Sequence, residues 1–211
     1  MDEKTLAKEV YERLSKIYKN PKIDLEFDNP FELLIETVLA AQERDEKVNS
    51  IRKSFFSRFK DSKALKEAPL EDIKEEIKSI SFYNKKAQAI KDIATILTDK
   101  FGGKVPDTEE ELTSLPGVGK KTANMVIANA FNKPAIAVDR HVHRIVQRLG
   151  LDDNKDPDKT TEHLKSLMDE KHWTKFYLLL LRHAKEVCTA KNPKCHECVL
   201  SDICKSFGNV K

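Results

Sequence analysis

Leu115-Pro116-Gly117-Val118-Gly119-Lys120-Lys121-Thr122-Ala123 is the stretch on which the fold turns. Helical periodicity stands on both sides of it. No regular helix runs through Pro-Gly, so the segment reads as a tight hairpin between two helices. Pro then Gly suits the middle of a type II turn, because glycine accepts the positive φ required there. Gly119 lets the start of the following helix approach a ligand closely. A helix start carries N–H groups without intrahelical acceptors and the positive end of the helix dipole, and together these make an anion site. Such a hairpin can grip a nucleic-acid phosphate without reading sequence. On spacing alone, a plain turn between helices is an equally good reading.

Outward from the hairpin the chain reads as helix after helix. Asn29-Pro30-Phe31-Glu32 is a start signal, with a capping Asn, Pro at the first helical position and Glu three after the cap. Phe31, Leu34, Ile35, Val38 and Gln42 fall near one face of that helix. Glu36 falls opposite them, near Glu32, and reads as a surface residue. Asp45 is expected to cap a helix reaching about residue 58. Others are expected over about 4–18, 70–79 and from about 84 to Gly102-Gly103. Asp107 is expected to cap a short helix that stops at Leu115-Pro116. Further helices fit 119–131, 139–150 with Asp139 as the cap, 157–168 and 173–187. No segment shows sustained strand alternation, so the fold class is all-α. Asn132-Lys133-Pro134 marks a passage between two helical lobes.

Composition bounds the function loosely. Of 211 residues, 39% are apolar and 35% charged, and the net charge of +3 permits a nucleic-acid partner without arguing for one. No apolar run approaches the ~20 residues of a membrane helix, and Met1–Val10 lacks a signal-peptide core. A cytoplasmic protein is expected, nucleoid-associated if its substrate is DNA. All four cysteines lie between Cys188 and Cys204, in the series Cys188-x6-Cys195-x2-Cys198-x5-Cys204. A cluster this tight, without a secretion signal, favours a metal site over a disulfide framework. Four thiolates suit either zinc or [4Fe–4S], and His196 is a possible fifth ligand.

The stretch Leu115–Leu149 with the downstream cysteines resembles endonuclease III, within the helix-hairpin-helix glycosylase superfamily. The likeness extends through Asn29–Gln42 and Phe82-Tyr83-Asn84-Lys85-Lys86-Ala87, and so covers nearly the whole chain. The resemblance implies two helical lobes with a DNA-binding cleft between them. One is a six-helix barrel, residues 23–133, containing the hairpin. The other is an iron–sulfur cluster domain, residues 1–22 and 134–211. It also implies that the cysteine series holds a [4Fe–4S] cluster, whose role is structural.

The activity implied is that of a bifunctional DNA glycosylase and AP lyase, excising oxidised pyrimidines from duplex DNA in base excision repair. The expected partner is double-stranded DNA with damaged bases or abasic sites, bound by a monomer. Lys121 takes the family position of the nucleophile and Asp139 that of its carboxylate partner, 18 residues on. The chemistry agrees: a neutral amine attacks C1′, displaces the base and forms a Schiff base, and β-elimination cuts the strand. Free lysine has a pKa of ~10.4, so the amine must be made less basic; a helix start or desolvation pushes that way. Without the motif, Lys120-Lys121 would read as solvated lysines and Asp139 as a simple cap.

By family position Gln42 and Phe82 fill the gap left by a base taken out of the stack. Leu115, Gly117, Val118, Gly119 and Lys120 are expected on a phosphate, and His141 near the active site. Lys191 and Lys194 are expected to meet phosphates from the loop that the cluster shapes. Arg140, Arg144 and Arg148, four residues apart, read as a phosphate stripe or a solvated face. One departure from the family pattern is that Gln42 is followed by Glu43-Arg44 rather than small polar residues. The competing functions are a mismatch glycosylase acting on uracil, thymine opposite guanine, or adenine, and a non-catalytic DNA-binding or redox-sensing protein.

Overall fold

The structure is a computed structural model that describes residues 1–209. In chain order the α-helices are α1 (Glu3–Ile17), α2 (Pro30–Leu39), α3 (Asp45–Arg58), α4 (Ser62–Glu67), α5 (Leu70–Ile77), α6 (Tyr83–Lys100), α7 (Glu109–Thr113), α8 (Lys120–Ala130), α9 (Arg140–Leu149), α10 (Pro157–Leu167) and α11 (Trp173–Glu186). Short 3-10 turns lie at Glu170–His172 and Cys195–Glu197. Among the described residues there is no strand, and no helix is long and apolar enough to cross a membrane. The all-α expectation holds.

The chain divides into two compact units: Asp24–Asn132, and Met1–Ile23 together with the chain from Lys133 onward. In the first, α2 is the central rod. Asn29 caps it, accepting from the Glu32 N–H at 3.0 Å, and every residue from Phe31 to Leu39 is buried. α3, α6 and α8 pack around it, while α4 and α5 pack on α6 and α7 packs on α8. In the second, α11 is central, with Phe176–Leu181 buried, and α9 and α1 pack on it. The start of the chain is tied to its end here. Arg13 Nη1 donates to the Val199 carbonyl at 2.9 Å and to Asp202 Oδ1 at 2.5 Å.

Several local expectations change. Glu36 is 1% exposed, not a surface residue. A wheel reading assumes that a helix keeps a solvent face, and α2 is surrounded. Arg52 of α3 reaches in to serve the acidic side, with Nη2 at 2.6 Å from Glu32 Oε2 and Nε at 3.4 Å from Glu36 Oε1. α2 ends at Leu39, so Gln42 is not on its face but in the following turn, at φ 56°. Asp45 is the first residue of α3 rather than its cap. Thr108, not Asp107, caps α7, its side chain accepting from the Glu111 N–H. α4 was not anticipated: at six residues it is too short to show a period, though Asp61 caps it and its Leu65 is fully buried.

Candidate active site and cluster pocket

The hairpin forms as its sequence dictates. The Val118 N–H donates to the Leu115 carbonyl at 3.2 Å, and Gly117 between them stands at φ 75°, the conformation a type II turn demands. Leu115 and Val118 are buried at 2% and 5% exposure, so their side chains anchor the turn. Gly119 differs from Gly117. Its φ is −89°, and a Cβ there would meet nothing within 4 Å. Nothing in the chain itself requires glycine at that position, and the space beside it is open to a ligand. No side chain caps the start of α8, so the first-turn N–H groups keep their anion-binding capacity. Asn124 joins the two hairpin helices, donating to Glu109 Oε2 at 2.7 Å and to the Lys120 carbonyl at 2.9 Å. Lys120 is exposed; Lys121, in the same first turn, is half-buried.

In the same unit, Gln42 and Phe82 each occupy the left-handed region, at φ 56° and 59°. Gln42 is exposed, and Phe82 is 61% exposed. Phe82 is therefore not a core residue. Glu43 joins the two turns: its Oε2 accepts from Ser81 N and Ser81 Oγ, both at 2.9 Å.

In the other unit, Asp139 caps α9. Its Oδ1 accepts from the N–H groups of His141 and Val142 at 2.9 and 2.8 Å, and its Oδ2 lies 3.0 Å from His141 Nδ1. Capping and the pairing with His141 together hold the carboxylate in one orientation. Gly150, at φ 83°, ends the helix.

The four cysteines surround one pocket, lined also by Ile145, Leu149, Val187, Leu200 and Phe207. Burial pushes the Cys198 and Cys204 thiols up, and the neighbouring cysteines push them further. Four thiolates can share so apolar a pocket only with a cationic group between them, so the donor set fits an iron–sulfur cluster. Polar groups already lie against the sulfurs: Arg148 Nη1 donates to Cys188 Sγ and the Leu200 N–H to Cys198 Sγ, each at 3.4 Å, and His183 Nε2 lies 3.2 Å from Cys198 Sγ. His196 is exposed, packs edge-on against Phe207 and does not line the pocket. Lys191 and Lys194 are exposed on the adjoining loop.

The α9 arginines form neither a phosphate stripe nor a solvated face. Arg144 donates to the carbonyls of Ala184 and Cys188, and Arg148 to those of Thr189 and Ala190, clamping the backbone that carries the first cysteine. Only Arg140 is exposed. Sequence reasoning also passed over His183, which is 2% exposed and which burial holds at a pKa of about 4, hence neutral. No periodicity or motif singled it out.

Two helices joined by a Pro-Gly hairpin, with a four-cysteine pocket downstream, define the class as the helix-hairpin-helix DNA glycosylases that carry an iron–sulfur cluster. The model of the HhH-GPD superfamily base excision DNA repair protein matches residues 35–170, and that of the iron–sulfur binding domain of endonuclease III matches residues 188–204. Endonuclease III of Thermotoga maritima is 40% identical over 96% of this chain and 92% of its own length. A solved structure of a trapped endonuclease III–DNA covalent intermediate superposes with a TM-score of 0.94, at 34% identity, over 98% of both chains. A thermostable thymine-DNA glycosylase matches with a TM-score of 0.87, at 25% identity, over 96% of this chain and 97% of its own. The chain belongs to the endonuclease III family. It is a base-excision DNA glycosylase with AP lyase activity, and its cofactor is a [4Fe–4S] cluster.

Proposed function

We propose that this chain excises oxidised pyrimidines from duplex DNA and cuts the strand at the resulting abasic site, with Lys121 as the nucleophile. The observation that carries this reading is the place of Lys121. It lies in the first turn of α8, directly behind a positive-φ turn, on a helix start that no side chain caps. The Lys121 amine attacks C1′ and the damaged base leaves with the C1′–N bonding electrons; the C1′–O4′ bond then breaks, O4′ takes a proton to become a hydroxyl, and the nitrogen lone pair closes the C–N bond to a protonated imine. Loss of a C2′ proton then expels the 3′ phosphate. Asp139 stabilises the cationic sugar and manages protons, with His141 fixing its orientation.

The remaining groups hold the duplex. The backbone of Leu115–Gly119, with Lys120, takes a phosphate. Gln42 bonds the orphaned partner base, and Phe82 wedges into the stack. Cys188, Cys195, Cys198 and Cys204 hold the cluster. Its contribution is structural, shaping the loop from which Lys191 and Lys194 reach phosphates. In domain terms, residues 23–133 are the barrel domain, and 1–22 with 134–211 the cluster domain. The protein acts as a monomer in the cytoplasm, at the nucleoid.

Borohydride reduction on a duplex carrying thymine glycol tests the assignment, because only the imine at the attacking amine is trapped. Lys121→Gln is expected to bind DNA yet lose both trapping and strand cleavage. Asp139→Asn is expected to bind and to release the base more slowly. Undiminished trapping by the Lys121→Gln protein would move the nucleophile elsewhere, with Lys120 the first candidate.

A further inference from the structure

We propose that Glu43 is a positioning residue: its carboxylate locks the Gln42 turn to the Ser81–Phe82 turn, so that both side chains enter an opened duplex as one preset unit. The proposal rests on the reading of Gln42 and Phe82 as gap-filling groups.

The geometry is specific. Glu43 Oε2 accepts from Ser81 N and Ser81 Oγ at 2.9 Å each, across 38 residues of sequence. Its Oε1 accepts from the Arg44 N–H at 3.0 Å, and Lys47 Nζ lies 3.2 Å from Oε2. The side chain is only 8% exposed, although it stands on a surface turn between two helices. These bonds, that of the Ser81 N–H first, hold its carboxyl at about 2, so it stays ionised wherever the protein works.

What the bonds restrain is conformationally unusual. The residue before Glu43 and the residue after Ser81 are both left-handed and neither is glycine. Such backbone persists only where its surroundings hold it. Phe82 leaves 61% of its surface in water, so the core does not explain its placement. A second tie lies deeper, where Lys86 Nζ donates to the Leu39 carbonyl at 2.6 Å and fixes the end of α2 to the start of α6. With those roots set, Glu43 governs the tips.

A tip already held in its inserting conformation loses less freedom when it enters the stack. Removing the carboxylate should leave the helices in place and let the two tips move independently.

The test is single-turnover excision of thymine glycol from a duplex with 2-aminopurine facing the lesion, whose fluorescence reports insertion. Glu43→Ala is expected to slow excision about tenfold and to weaken the fluorescence rise, while affinity for undamaged duplex holds. Glu43→Gln keeps a carbonyl acceptor for Ser81 and is expected to restore most of both signals; a Gln protein as slow as the Ala protein counts against the lock. Melting and cluster absorbance monitor folding; if the Ala variant folds poorly, Ser81→Ala, which removes the Oγ donor to Glu43, takes its place and is expected to slow excision in the same direction, parent-like rates counting against the lock.

Phe82→Ala is measured beside them, alone and with Glu43→Ala. A double variant no slower than Phe82→Ala supports action through Phe82, whereas additive losses overturn it. Parent-like rates in Glu43→Ala beside a slow Phe82→Ala defeat the lock alone. An unaffected Phe82→Ala defeats the gap-filling reading itself.

Discussion

Glu36 sits inside the unit built around α2, and burial lifts its carboxyl from the ordinary 4.5 to about 8 despite the nearby Arg52 guanidinium. Neither carboxyl oxygen has a hydrogen-bond partner. Below pH 4.5 the group is protonated in both the folded and unfolded chain, and its contribution to stability is fully present. Between 4.5 and 8 the unfolded chain releases the proton while the folded chain keeps it, so stability is lost as pH rises through that window. Glu36→Gln removes the titration. Its melting temperature is expected to exceed the parent's at pH 8 by about 2–4 °C for each kcal/mol relieved, with the gap closing near pH 4. Equal melting differences at both pH values would mean that Glu36 is not the titrating group. At this scale the sequence carried Lys121 and Asp139 through their motif frame. Glu36, Glu43 and His183 were illegible or misread because each takes its role from a neighbour distant in sequence.

The two hairpin glycines separate a requirement of the fold from a requirement of the ligand. Gly117 stands at φ 75°, where an L side chain is strained by roughly 1–2 kcal/mol. Gly117→Ala is expected to lower stability by about that amount and to weaken DNA binding across unrelated duplexes. Gly119 has an ordinary φ and open space around its missing Cβ. Gly119→Ala is therefore expected to melt like the parent yet bind DNA more weakly, as read by thermal melting and fluorescence anisotropy. Parent-like affinity in the Gly119→Ala protein would remove that position from the interface. Elements were legible where further local signals marked the cap, as Pro30 and Glu32 do after Asn29, or where one capping residue stood alone, as Asp139 does. At Asp107-Thr108 two candidates adjoin, and the path of the incoming chain, which no local pattern encodes, selects between them; at Asp45 the helix begins one residue earlier than the side chain suggests, behind an Arg44 that makes no side-chain cap bond.

Across the whole molecule, the cluster pocket gathers a cysteine just beyond α11 and three from the segment that follows it, under a clamp from α9. Arg148 holds Thr189 and Ala190 while Arg13 of α1 holds Val199. Losing the cluster should therefore loosen a whole segment rather than one bond. Cys198→Ser is expected to cost the brown colour and the roughly four irons per chain, and to release the loop carrying Lys191 and Lys194. DNA affinity should fall, with the salt slope reduced by about one for each phosphate that a lysine no longer neutralises. Iron assay and binding titrations at several salt concentrations check this; full iron content with an unchanged slope would refute it.

The sequence by itself determined the helical class, the hairpin and the cysteine set, and the nucleophile candidate came only with the family resemblance. Each of the first three is written in a local pattern: a 3.6-residue period, a Pro-Gly turn, a fixed spacing. Tertiary structure alone decided that α2 has no solvent face, that Arg144 and Arg148 of α9 clamp a loop while Arg140 meets solvent, and that Glu43 bridges to Ser81. In each case the deciding partner lies 16 to 44 residues away. Burial and hydrogen bonding are properties of neighbours in space, and the chain states its neighbours only by folding.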